Sequence, residues 1–144
     1  MKPQLLFFFL LVVCSISAIA QIKVPKKFSL VKGPGPSARL DYYTDGQYKL
    51  YEQTPFQGGL PATDQAIMDQ LSADYGVPFN KQNKNFYYGT GFKNGVWKYV
   101  VLVKGLTFVL TSPMNNKGFQ QYSKWLFTRL DNALTFGDQL YLRE

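Results

Sequence analysis

Two glycine-containing dipeptides inside the stretch Phe86–Thr111 constrain the fold of this chain more than any other feature. Asn94-Gly95 and Lys104-Gly105 both suit the tight turns of two-residue β-hairpins. The strand pairings that the two turns set independently agree, because a side-chain period of two sends the same residues to one face. That shared face carries Phe86, Tyr88, Thr90, Phe92, Trp97, Tyr99, Val101, Val103, Leu106, Phe108 and Leu110. The sequence therefore predicts a three-stranded antiparallel meander over 86–111 with one apolar face.

Apolar residues at helical spacing predict one helix before the meander and one after it. Ile67, Leu71 and Tyr75 recur four residues apart, and a glycine and a proline follow them. We expect this first helix to cover about 64–75. The second helix is expected over about 116–134, with an apolar stripe made of Phe119, Tyr122, Leu126, Leu130 and Ala133.

The segment from Leu40 to Glu52 is typical of a second hairpin, with its turn at an Asp-Gly dipeptide. A two-residue loop there would pair Tyr43 with Tyr48 and would bring Arg39 opposite Glu52. The first pair is aromatic and the second is an ion pair, and both kinds of cross-strand contact stabilise a sheet.

The order of these elements predicts the fold class. It is strand, strand, helix, three strands and helix, and alternating residues near 136–144 indicate a further short strand. Such an order favours a single α+β domain over 40–144, an antiparallel sheet with at least one helix packed on the apolar face of the meander.

The N-terminal residues are typical of a secretory signal peptide. Lys2 precedes the apolar run Leu5–Val13, and Ala18 and Ala20 stand at the small-residue positions before a cut. We therefore expect 1–20 to be removed and the mature chain to begin at Gln21. A lipoprotein signal ending at Cys14 is the less favoured alternative, because Val13 stands where such signals carry a small residue.

Cysteine usage indicates the compartment of the mature chain. Its single cysteine lies in the predicted signal, so the mature chain has no thiol for a disulfide although export leads to an oxidising compartment. The chain also lacks an Asn-x-Ser/Thr acceptor for glycosylation. Both observations favour a bacterial envelope protein, periplasmic or secreted. No segment after the signal reaches the apolar length of a transmembrane helix.

Residues 21–39 form a basic segment without a single acidic side chain. Its glycines and prolines at 33–36 are unsuited to a helix or a central strand, so we expect an arm or linker. The arm suggests weak contact with an anionic membrane or polymer, and the alternative is a solvated linker or an edge strand around Val24–Leu30. The candidate contact residues are Lys23, Lys26, Lys27 and Lys32.

The composition of the mature chain excludes the commonest catalytic and metal sites. With neither histidine nor cysteine it has no Ser-His-Asp triad, no Cys-His pair and no His/Cys zinc site. Calcium-loop and phosphate-loop patterns are also absent from the sequence. We therefore expect no catalytic residue, no metal and no cofactor. Paired carboxylates, with Asp41 and Glu52 as the candidates, keep a glycan-cleaving enzyme open as an alternative.

Two surfaces are candidates for ligand binding. The first is the tyrosine-rich hairpin with Tyr42, Tyr43, Tyr48 and Tyr51, since tyrosine joins an apolar body to a polar tip. The second is the less apolar face of the meander, where two glycines leave bare backbone on which a sugar ring or an extended peptide could lie. Its candidate residues are Tyr87, Gly89, Gly91, Lys93 and Lys98. The alternatives are that the tyrosines are core residues and that a helix covers the glycines.

These observations predict an exported, non-catalytic binding module whose partner is a protein or a glycan of the cell envelope. The removal of Lys2 with the signal lowers the formal net charge from +7 to +6, which favours anionic surfaces. A specific nucleic acid is disfavoured as a partner, because no recognition module accompanies the charge. A carboxylate-dependent enzyme and a structural protein tethered electrostatically to an anionic surface remain as alternatives.

Overall fold

The structure is a computed structural model, and it describes residues 19–34, 41–53, 64–79, 81–83, 86–103, 106–133 and 139–143. The secondary structure within these ranges consists of strands and two helices. The strands are β1 (Ile19–Lys23), β2 (Ser29–Val31), β3 (Tyr42–Thr44), β4 (Lys49–Gln53), β5 (Lys81–Gln82), β6 (Tyr87–Lys93), β7 (Val96–Val103), β8 (Leu106–Ser112) and β9 (Gln139–Arg143). The helices are α1 (Asp64–Tyr75) and α2 (Lys117–Ala133).

Seven of the strands form one antiparallel sheet in the order β2-β3-β4-β8-β7-β6-β5. The remaining two, β1 and β9, pair with each other in parallel. The two helices cover opposite faces of the large sheet, since each belongs to a different apolar cluster. The predicted α+β class, the single domain, both helices and the short C-terminal strand are confirmed.

The meander formed by β6, β7 and β8 has the predicted register. Phe92 pairs with Trp97 and Tyr99 pairs with Leu110. The turn between β6 and β7 has positive φ at both central residues, 54° at Asn94 and 76° at Gly95. Asparagine and glycine tolerate this region, so the dipeptide sets the register locally.

The register predicted for the β3–β4 hairpin is wrong. Tyr43 pairs with Leu50 and not with Tyr48, so the loop is two residues longer than a tight turn. The hydroxyl of Thr44 accepts a hydrogen bond from the Gly46 N–H and donates one to the Tyr48 carbonyl. Asp45 also accepts two backbone hydrogen bonds within the loop. These side chains satisfy the backbone of a wider loop, which a tight turn would exclude.

Helix α2 packs on the apolar face of the meander, as the sequence predicts. Asn116 caps it, since its Oδ1 accepts the backbone N–H of Phe119 at 2.9 Å. Phe119, Leu126 and Leu130 are fully buried against the sheet. The ring of Phe127 stands edge-on to two aromatic rings of the first meander strand, at 5.0 and 5.2 Å between centroids.

Helix α1 and the residues after it cover part of the opposite sheet face. Leu71 and Val77 are buried there against Val100 and Val109 of the central strands. A Cβ atom added to Gly91 would lie 2.1 Å from the Gly76 carbonyl oxygen. The chain therefore packs directly on Gly89 and Gly91, which we name the glycine strip. This packing requires the absence of side chains at both positions.

The segment predicted as a basic arm contributes to the core. Ile22, Val24 and Phe28 are 2, 4 and 5 % exposed and lie in the same cluster as α2. Its later part forms β2, an edge strand of the large sheet, which corresponds to the edge-strand alternative. Its lysines at 23, 26, 27 and 32 are exposed, because the apolar residues between them pack in the core.

The predicted signal peptide and β1 overlap at two residues. Ile19 and Ala20 pair with Gln139 and Leu140 of β9, whereas cleavage before Gln21 would leave three of the five residue pairs. Residues 1–18, which include Cys14, lie outside the described ranges. The same holds for Arg39, Thr63 and the Lys104-Gly105 turn. In the described part of the chain, no helix combines the length and apolar character that a bilayer crossing requires.

Candidate binding face

The predicted tyrosines are divided between the two faces of the sheet. Tyr42 and Tyr51 lie on the α1 side, whereas Tyr43 lies on the α2 side, because neighbouring strand residues alternate. Tyr48 belongs to neither strand, because it lies in the loop between β3 and β4. The hairpin is therefore not a single aromatic surface, and half-buried tyrosines lie on both of its sides.

On the α1 side, the ladders align Lys49, Thr111 and Lys98 in one row across three adjacent strands. Lys49 pairs with Thr111, and Thr111 pairs in turn with Lys98. The two lysine Cα atoms are separated by two strand spacings, about 9.5 Å. Lys49 is exposed, and the other two residues are half-buried. A row of this kind presents two cations with a hydroxyl between them.

Each of these lysines stands over a tyrosine ring. The Lys49 Nζ lies 4.9 Å from the ring centroid of Tyr42, and the Lys98 Nζ lies 5.5 Å from that of Tyr75. Both distances fall within the range of a cation–π contact. We name the surface made of Tyr42, Lys49, Tyr51, Tyr75, Lys98 and Thr111 the lysine–tyrosine face.

Partial burial makes the electrostatics of this face unusual. Desolvation, and then the nearby charge of Lys93, lower the pKa of Lys98. Burial raises the pKa of Tyr51 to about 12 and raises that of Tyr75 further. At neutral pH both tyrosines therefore keep their hydroxyl protons, and that of Tyr75 donates to Oε1 of Gln53. An anion placed against Lys98 would replace hydration that the ammonium has lost.

Lys93, also predicted for this surface, has a structural role at the end of α1. Its Nζ donates to the carbonyl oxygens of Ala73 at 2.5 Å and Asp74 at 3.3 Å. A cation at a helix C-terminus satisfies free carbonyl groups and interacts favourably with the helix dipole. Lys93 thus positions the helix end that carries Tyr75 and adds positive charge beside the face.

Four other predicted residues are buried, or partly buried, by packing within the protein. Tyr48 is 6 % exposed, and a Cβ atom on Gly118 would lie 2.2 Å from its hydroxyl oxygen. Gly89 and Gly91 are covered by 76–78, so the groove predicted over them is filled by the chain itself. Tyr87 packs half-buried against the α1 cluster. These residues belong to the core and its margin, not to the lysine–tyrosine face.

The two candidate carboxylates line one pocket, which shares Tyr51 with the lysine–tyrosine face. Asp41 and Glu52 line a cavity of about 180 Å³ together with Leu30, Tyr43, Tyr51 and Leu142. Oδ1 of Asp41 accepts the Gly33 N–H at 2.9 Å. Burial raises the pKa of Glu52, although a hydrogen bond from the Leu142 backbone partly opposes this change. The hairpin thus brings the two acids together as neighbouring strands allow.

Sequence reasoning missed three members of the face, Lys49, Thr111 and Tyr75. Tyr75 continues the apolar stripe of the helix, which predicts a core residue, and this is confirmed because Tyr75 is 8 % exposed and its ring also lies beneath Lys98. Lys49 and Thr111 could have been found only from the pairing of β4 with β8, which joins segments far apart in the chain. Four exposed lysines lie outside this face. Lys23 ends β1, Lys26 and Lys27 lie in the turn between β1 and β2, and Lys32 follows β2.

No group of three or more metal-ligating side chains occurs within the described ranges. No protein-family model matches the chain, and neither the curated proteins nor the solved structures contain a significant match.

Proposed function

We propose that this protein is an exported, non-catalytic binding module that holds an extended anionic glycan of the cell envelope on its lysine–tyrosine face. The observation that carries the proposal is the Lys49–Thr111–Lys98 row, in which each cation stands over a tyrosine. The half-buried Tyr42 and Tyr51 offer a sugar ring an apolar surface with a polar tip, and spaced ammonium groups pair with carboxylate or phosphate substituents. A protein partner with acidic side chains is the competing ligand class.

The rigidity of the row supports binding over catalysis. Its side chains project from central strands of the sheet, where the ladder fixes their spacing before a ligand arrives. Such preorganisation lowers the entropy cost of binding. The row offers two cations and a hydroxyl group, which position a ligand through charge and hydrogen bonds.

The test is binding of the exported protein to immobilised acidic and neutral envelope glycans at two salt concentrations. Lys49→Gln with Lys98→Gln should abolish retention on acidic glycans without lowering thermal stability. Lys124→Gln with Arg129→Gln, on the opposite side of the sheet, is the matched control and should bind as the parent does. Equal retention of both double variants would contradict the proposal, and retention only by envelope proteins would identify the competing ligand class.

A second candidate function, glycan cleavage, is supported by the shared pocket of Asp41 and Glu52. Glycosidases use one protonated carboxyl group as general acid and one carboxylate as base or nucleophile. The raised pKa of Glu52 suits it to the acid role. Release of reducing ends from an envelope glycan, lost in Glu52→Gln and Asp41→Asn with the fold intact, would support this function. Absence of turnover on every envelope glycan would exclude it.

A further inference from the structure

The outer face of α2 carries a tryptophan between two cations. Trp125 is half-buried, whereas Lys124 and Arg129 beside it are exposed. The opposite side of the same helix holds its buried leucines; Trp125 packs in part against that core, and the rest of this face looks away from the sheet. It forms a shallow depression of about 490 Å³ lined by Gln121, Lys124, Trp125, Thr128, Arg129 and Asn132.

The N-terminal segment extends this basic surface. β1 lies against α2, and the ring of Phe28 stands edge-on to that of Tyr122 at 5.1 Å. The contact brings the exposed turn of Lys26 and Lys27 to the side of the helix, and Lys23 is exposed on the neighbouring strand. Two acids border this surface: Asp45 lies against Tyr122, and Asp131 lies toward the other flank, where Asn83 donates to it.

We propose that this surface docks on an anionic phospholipid bilayer, with the Trp125 ring at the headgroup level and the surrounding cations on lipid phosphates. Two cations flank Trp125 on α2, and further exposed lysines lie on the N-terminal segment that contacts this helix, which fits a broad anionic surface. Tryptophan prefers the membrane interface, and each nearby cation contributes electrostatic attraction that salt screens. The site does not depend on the lysine–tyrosine face, which lies on the other side of the sheet.

The experiment measures partitioning of the exported protein onto vesicles of phosphatidylcholine alone or with about one-third phosphatidylglycerol. We expect binding only to the anionic vesicles and its loss in high salt. Lys124→Gln with Arg129→Gln should lower the partition coefficient by roughly thirtyfold, since each cation near such a surface contributes a factor of about five. Lys49→Gln with Lys98→Gln is the charge-matched control from the other side of the sheet, and it should lower the partition coefficient far less than Lys124→Gln with Arg129→Gln does.

Tryptophan fluorescence separates membrane docking from attraction to any polyanion. In a Trp97→Phe background, the emission of Trp125 should shift to the blue on anionic vesicles and stay unchanged with soluble polyglutamate. Equal shifts with both, or a Lys124/Arg129 variant that binds vesicles as the parent does, would overturn the proposal. Charge reversal at the exposed Lys124 alone provides a variant that leaves the core untouched.

Discussion

The hydroxyl group of Tyr48 donates a hydrogen bond to Oδ1 of Asn116 at 2.8 Å, and the same oxygen caps α2. The β3–β4 loop is thereby tied to the start of the helix. The Tyr48 ring also stands edge-on to Tyr122, at 5.0 Å between centroids. One side chain therefore fixes the contact between hairpin and helix through both a polar and an aromatic interaction.

Replacement of Tyr48 should reduce stability in two steps. Tyr48→Phe removes the hydrogen bond and should lower the free energy of unfolding by about 1 kcal/mol. Tyr48→Ala also leaves a cavity and should cost about 3–5 kcal/mol. Urea denaturation measures both values. If Tyr48→Ala instead kept full stability and lost a ligand, Tyr48 would be a contact residue and not part of the core.

The glycine strip predicts a steep response to one added methyl group. Gly91→Ala places Cβ against the Gly76 carbonyl and should lower the free energy of unfolding by about 1–3 kcal/mol or more. Gly46→Ala meets no neighbouring atom, and only its φ of 98° opposes the change, so about 1 kcal/mol is expected. Similar losses at both positions in thermal unfolding would argue against close packing of 76–78 on the sheet.

Thr107 and Ser112 form a matched pair of buried hydroxyl groups on β8. The Thr107 hydroxyl has no hydrogen-bond partner in the described part of the chain. Thr107→Val should therefore raise the free energy of unfolding by about 1 kcal/mol. Ser112 both donates to and accepts from the Met114 backbone, so Ser112→Ala should lower it by a similar amount. Calorimetry of both variants checks the opposite signs.

Glu52 should make stability fall as pH rises above the ordinary pKa of a glutamate. Burial raises its pKa in the folded state, so the folded chain holds this proton where the unfolded chain has released it. Stability then declines with increasing pH until the folded-state pKa is passed. The difference in unfolding free energy between Glu52→Gln and the parent should grow in favour of the variant across this window. A difference independent of pH in urea titrations would contradict it.

The N-terminal segment should behave as core at its apolar positions and as surface at its lysines. Ile22→Ala should lower the free energy of unfolding by about 2–5 kcal/mol, because Ile22 is 2 % exposed. Lys26→Ala, at an exposed position, should change it by less than about 0.5 kcal/mol. If both variants were equally stable in urea, residues 21–39 would be a free arm and not part of the core.

Much of the fold could be predicted because its signals are local. The Asn94-Gly95 turn needs only two residues that tolerate positive φ, and it set the register of β6 and β7. The helix of 64–75 follows from spacing within one stripe. The β3–β4 register could not be predicted in the same way, because Thr44 and Asp45 stabilise a longer loop through hydrogen bonds that a dipeptide rule does not include.

The sequence by itself determined the two helices, the strands of both hairpins and which meander face is apolar, since these depend on periods of a few residues, but it predicts neither β1 nor β5. Only the tertiary structure decided which tyrosines are buried. Tyr48 lies in the core, whereas Tyr42 and Tyr51 share a face with Lys98. The tertiary structure also joined β4 to β8 and β1 to β9. Such pairings bring together residues distant in the chain, and their free energy depends on packing that no local pattern records.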